Sequence, residues 1–127
     1  MDRQLDIDIL KGCIIDHYDV EEQSITVQTR NGGLYHIQLE DEGAGGNDSH
    51  AYFSEVDLKP VIGKRITKAW HEDESRDGVR LVLQAGVATA IVQVIHQNNG
   101  YYGFSYEVIV ARPEQKDDLP PPQSLDF

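Results

Sequence analysis

Apolar and polar residues alternate through much of the second half of the chain. Residues 65–73, 79–85 and 87–96 read as three strand-like runs. After Asn98-Asn99-Gly100 a fourth run covers 101–110, with Tyr102, Phe104, Tyr106, Val108 and Val110 at one parity. Successive side chains of a strand point to opposite faces, so a period of two bounded by Gly and Asn spells a half-buried antiparallel sheet. Ser75-Arg76-Asp77-Gly78 and Gln84-Ala85-Gly86-Val87 supply the turns between the first three runs.

The first half carries the same pattern more loosely. Residues 1–10 read as a short edge strand or a short helix, and Gly12 breaks them off. Residues 13–18 form a strand candidate. In 24–29, Ile25 and Val27 oppose Ser24, Thr26 and Gln28; in 34–39, Tyr35, Ile37 and Leu39 oppose Leu34, His36 and Gln38. Asn31-Gly32 between them predicts a tight primed turn, because both residues tolerate positive φ. Residues 13–39 therefore read as a three-stranded meander. Residues 40–49, with Glu40-Asp41-Glu42 followed by Gly43, Gly45 and Gly46, read as a loop. Residues 50–60 are ambiguous, with Tyr52 and Phe53 as anchors to the core, and 57–63 read as one helical turn closed by Gly63.

The fold class expected is mainly β: about seven antiparallel strands in a curled sheet or small barrel, with one short helical turn. The domain spans residues 1–112. Residues 113–127, with Glu114-Gln115-Lys116-Asp117-Asp118 and Pro120-Pro121-Pro122, are expected to be an extended acidic, Pro-rich tail. A length of 127 residues suits one domain with one modest core.

Charge adds a functional bound. There are 22 acidic and 11 basic residues, a formal net charge of −11 with His neutral. Such a chain is not expected to bind nucleic acid directly or to seek an anionic membrane; a basic protein surface is the partner it suits. The single cysteine, Cys13, excludes an intramolecular disulfide. No basic-then-apolar leader and no apolar run of about 18 residues is visible, so a cytoplasmic location is expected.

Reactive chemistry finds little support. Zinc needs several N or S ligands at close spacing, and one cysteine with scattered His17, His36, His50, His71 and His96 gives none, so no metal or cofactor is expected. Asp16, His17 and Asp19, or His71 with Glu72, Asp73 and Glu74, lack the dense oxygen spacing of a hard-cation loop. Cys13 sits in an apolar run, where a thiol stays protonated. No serine lies in a Gly-x-Ser-x-Gly elbow, and no Gly-rich phosphate cradle opens a helix. Contiguous carboxylates share one solvent environment, whereas acid–base pairs need environments that separate their pKa values. No catalytic residue is assigned; a hydrolase using His71 and Glu72 is the alternative of that kind.

Two binding sites are candidates. Glu40, Asp41 and Glu42 with Glu72, Asp73 and Glu74 would engage the basic partner. Asn98, Asn99, Tyr101 and Ser105, around the bare Gly103, would form a small-ligand site, although aromatic residues in strands mostly serve packing. Open strand edges allow a homodimer by edge pairing or face packing.

At Asn98-Asn99-Gly100-Tyr101-Tyr102, followed by Glu107-Val108, the chain resembles a family of small β-rich proteins of unknown function. These are encoded by phages and bacteria and carry Asn-Gly-Tyr-Tyr before their last strand. The order upstream is also similar: an acidic loop, then Leu58, Ile62-Gly63 and Ile66 before a strand. The similarity spans about residues 12 to 110. The family has a Cys-Cys pair near the position of His50-Ala51-Tyr52-Phe53, and its absence here puts a shared metal or redox role in doubt. The resemblance implies a β fold and a mobile-element origin, but no activity. Separately, Leu125-Asp126-Phe127 is similar to the peptides that dock bacterial proteins on the replication sliding clamp, with Pro122 where those peptides carry Gln.

The reading that follows is a non-catalytic acidic binding protein, in its sharpest form a phage or mobile-element inhibitor covering a nucleic-acid-handling surface of a host protein. A small-ligand-binding or sequestering β domain is the alternative.

Overall fold

In a computed structural model the described residues are 6–41, 49–75, 77–98 and 104–114. Eight strands run in sequence: β1 (Ile15–Val20), β2 (Ser24–Thr29), β3 (Leu34–Asp41), β4 (Ser49–Asp57), β5 (Lys68–Ser75), β6 (Gly78–Ala85), β7 (Ala88–Asn98) and β8 (Phe104–Arg112). They form two four-stranded sheets with orders β1-β2-β3-β8 and β4-β7-β6-β5, and every pairing is antiparallel. The expectation of about seven strands in one curled sheet or small barrel is thus corrected to eight strands in two sheets; among the described residues no barrel closes. The meander of the first half and the run of strands in the second are as the alternation predicted.

The inner faces meet in one core. Ile15, Ile25, Val27, Tyr35, Ile37, Leu39, Tyr106 and Val108 come from the first sheet. Ala51, Val79, Leu81, Leu83, Val92 and Val94 come from the second. Removal of these chains from water is the main stabilising contribution, about 1.5–3 kcal/mol for each large aliphatic side chain. Two 3-10 turns complete the core, Ile7–Leu10 and Lys59–Val61, which bury Ile7, Leu10, Leu58 and Val61. The first resolves the choice left open at the chain start in favour of helix. The second falls where one helical turn was expected.

Several local readings are corrected. The β2–β3 connection is a three-residue loop, not a two-residue primed turn. Thr29 pairs with Gly33, Gly32 N–H donates to Thr29 O at 3.1 Å, and Gly32 has φ of 86° while Asn31 does not enter the positive region. That is a type I turn followed by a left-handed glycine, which preserves strand twist as a primed turn would. Glu40 and Asp41 belong to β3 rather than to a loop, paired with Ser105 and Phe104. The ambiguous stretch from residue 50 falls in β4 (Ser49–Asp57), whose alternation is interrupted by a bulge between Phe53 and Glu55. Ala51 and Phe53 face the core before the bulge; Val56 packs against it afterwards, in opposite parity. One extra residue flips every later side chain to the other face.

Two seams tie the sheets together. At one, the β1–β2 tip reaches β4: Phe53 N–H donates to Glu22 O at 3.1 Å, and Gln23 Nε2 donates to Ala51 O at 2.8 Å. At the other, Gly12 N–H donates to Ile66 O and Ile66 N–H to Cys13 O, both at 2.8 Å, and Arg65 Nη1 donates to Gly12 O at 2.8 Å.

Candidate functional site

The strand register builds a surface on the outer face of the second sheet that no local stretch of sequence displays. Cross-strand pairing aligns Asp57, Ile91, Val82 and Trp70 in one row, and Glu55, Gln93, Arg80 and Glu72 in the next. Val82 is only 3% exposed although it points away from the core, whereas its row neighbours Trp70 and Ile91 are 36% and 44% exposed. An indole and an isoleucine on either side of a covered valine make an apolar stripe across three strands. Single exposed apolar residues are ordinary; a contiguous row rimmed by charge is the feature of this face that stands out.

Carboxylates frame that stripe. On the β4 side a groove of about 270 Å³ is lined by Glu55, Asp57, Pro60, Thr89 and Ile91. Asp57 Oδ1 accepts from Lys59 N–H at 3.2 Å, which fixes the carboxylate at the start of the 3-10 turn Lys59–Val61. On the β5 side, Trp70 Nε1 donates to Glu72 Oε1 at 3.2 Å, and Arg80 Nη1 lies 3.2 Å from both Glu72 Oε2 and Asp73 Oδ2. Gln93 donates to Val79 O and Val94 O, which orients its Oε1 toward Arg80 Nε at 3.4 Å. These groups are 38–71% exposed, so the ion pairs contribute at most about 1 kcal/mol each. Their main effect is to hold the indole edge in place.

The acidic residues singled out from the sequence do not form one patch. Glu40 is on the outer face of the first sheet, opposite Ser105. Glu72 is on the outer face of the second, and Asp73 sits in the β5 bulge at a positive φ of 57°; both are engaged by Arg80. The side chains of Asp41 and Glu74 and all of Glu42 lie outside the described residues. Of the proposed small-ligand site, Asn98 ends β7 and Ser105 is half-buried in β8, while Asn99 and Tyr101 lie outside the described residues.

His71 and Glu72 occupy opposite faces of β5, so they do not act as a pair. His71 Nδ1 is 2.9 Å from the Tyr106 hydroxyl, their rings meeting edge-on, and Tyr106 also accepts from Ile7 N–H at 3.5 Å. His96, only 3% exposed, packs its ring 4.9 Å from Phe104. His50 is 2.6 Å from Glu22 across the first seam and stacks on Tyr52. Among the described residues no group of three His, Cys, Asp or Glu side chains is placed to hold a metal ion. Nor is any helix there long and apolar enough to cross a membrane.

Burial pushes the Tyr35 phenol well above its ordinary value and the neighbouring Cys13 adds to the rise, while Glu114 acts both ways, its charge raising the value and its backbone hydrogen bond lowering it. A group kept neutral in the folded chain but free to ionise in the unfolded one favours unfolding above about pH 10. This contribution is intact below that pH and is lost as the pH climbs toward the folded-state value. Between about pH 9 and pH 11, denaturant unfolding is expected to show a steeper loss of stability in the wild type than in Tyr35→Phe. Parallel losses would contradict the burial of the hydroxyl.

No family model matches the chain, and no curated protein or solved structure is significantly similar to it.

Proposed function

We propose that the protein is an acidic binding module that docks a basic segment of another protein on the outer face of its β4-β7-β6-β5 sheet. The row Asp57–Ile91–Val82–Trp70 is the observation that carries this reading. An Arg or Lys side chain of the partner would lay its methylenes on Ile91 and Pro60 and place its charge against Glu55 and Asp57. An apolar neighbour two residues along an extended partner would then reach Val82 and Trp70. The net charge of −11 supplies the long-range attraction that speeds encounter. A phage or mobile-element inhibitor that covers a nucleic-acid-handling surface is the sharpest form of this reading, since such surfaces are basic. No turnover is part of it, and the protein acts through shape and potential.

A displayed library of peptides that mix basic and apolar residues tests the proposal. Selection is expected to enrich Arg or Lys beside an aliphatic or aromatic residue. The double variant Glu55→Lys/Asp57→Lys should slow association with the selected peptides by about tenfold at low salt, with the difference shrinking as ionic strength rises and the Debye length falls below about 8 Å. Equal association rates at low salt would remove the β4 groove from the interface.

A further inference from the structure

We propose that a second site, the cleft between the 3-10 turn Ile7–Leu10 and the adjoining ends of β3 and β8, binds a small molecule carrying a protonated amine, with Glu114 as its counter-charge. The cleft has a volume of about 340 Å³ and is lined by Ile9, Lys11, Gly12, Cys13, Tyr35, Pro113 and Glu114.

The chain is shaped to bring Glu114 inward. Arg112 Nε donates to Gly32 O at 2.7 Å and fixes the end of β8 against the β2–β3 loop. Gly33 follows in that loop without a positive φ, so backbone freedom does not account for it. A Cβ there would stand 2.9 Å from Glu114 Cγ, 2.8 Å from Tyr35 Cε1 and 2.5 Å from Thr29 Oγ1. The missing side chain is the space in which Glu114 is seated beside Tyr35.

The seat leaves an unmet demand. Glu114 Oε2 is the one buried side-chain polar atom among the described residues without a hydrogen-bond partner. Other acidic side chains near the surface have theirs: Asp16 from Arg30, Glu22 from His50, Glu72 from Arg80. A buried carboxylate oxygen with no donor is an exception that calls for one. The cleft beside it offers room for that donor and little to compete with it. Tyr35 is neutral, its oxygen accepting from the Cys13 thiol at 3.9 Å, and Ile9 and Pro113 provide apolar wall. A compact ammonium on a short apolar body meets all of these groups. Lys11 is the cationic side chain on the lip and the internal rival for the carboxylate.

An amide-resolved NMR titration with n-butylammonium chloride, run against 1-butanol at constant ionic strength, decides the matter. The expected result is saturable shifts at Lys11, Gly12, Cys13 and Tyr35 with the ammonium and none with the alcohol. Occupancy should also slow the reaction of Cys13 with a small thiol reagent. Glu114→Gln is expected to weaken binding by about tenfold or more, because a charge-assisted hydrogen bond becomes a neutral one. Gly33→Ala, which displaces Glu114 through its Cγ, should weaken it as well, and Lys11→Met should leave it equal or tighter. Absence of saturation in both the wild type and Lys11→Met overturns the proposal. So does equal affinity in Glu114→Gln, and so does saturation seen only in Lys11→Met, which would assign the carboxylate to the lysine.

Discussion

Replacing Gly78 with valine is expected to destabilise the fold by about 3 kcal/mol or more. Gly78 opens β6, pairs with Ser75 on one side and Ile95 on the other, and is buried. Its φ is 155°, and a Cβ built there collides with the carbonyl oxygen of Val94. That oxygen is backbone in a central strand, so it has nowhere to move without opening the β6–β7 ladder. The ladder is locked beside it by the hydrogen bond from His96 N–H to Asp77 O at 2.8 Å. The denaturant midpoint should fall steeply for Gly78→Val and by a smaller amount for Gly78→Ala, which brings in the same Cβ without the branch. A midpoint unchanged in both variants would mean that β6 and β7 pair in another register.

Trp70→Ala is expected to weaken the proposed basic partner by 10- to 100-fold, about 1.4–2.8 kcal/mol, chiefly through faster dissociation. The indole is the largest apolar group on the outer face of the second sheet, and Glu72 holds its nitrogen. Large aromatic side chains carry a disproportionate share of binding energy in protein interfaces. Trp70 lies outside the buried core, so the folded state should survive with a loss of no more than about 2 kcal/mol from the surface it shields. Dissociation rates measured by surface-immobilised binding, beside a thermal melt of the same variant, separate the two effects. An unaltered dissociation rate would mean that the stripe is not the docking surface.

The two substitutions also show what was legible in the chain. β2 matches its alternation to the residue, and Ile25 and Val27 are buried as their parity required. The aromatic parity of the last strand holds at Tyr106 and Val108. β4 is ambiguous in sequence because the bulge after Phe53 breaks its period, and a period-two reading has no means of crossing one inserted residue. The acidic candidates were chosen by adjacency along the chain. Adjacent strand residues face opposite ways, however, and Glu72 and Asp73, at the bulge, are both engaged by Arg80 of the neighbouring strand. The Trp70 stripe depended on register: Asp57, Ile91, Val82 and Trp70 come from four strands, and each looks like an unremarkable member of its own run. Glu114 beside Gly33 was equally hidden, since contact between a loop glycine and a residue 81 positions later is a property of the closed fold.

The sheet order has a consequence for synthesis. β3 gains its second neighbour only from β8, with four strands of the other sheet made in between. A nascent chain therefore holds the edge of β3, with Tyr35, Ile37 and Leu39 on its apolar side, unpaired until nearly the whole described polypeptide has left the ribosome. Unpaired apolar edges recruit foreign strands. Premature termination after β3 is complete, between residues 41 and 104, would thus release a species whose first sheet is complete on one flank and adhesive on the other.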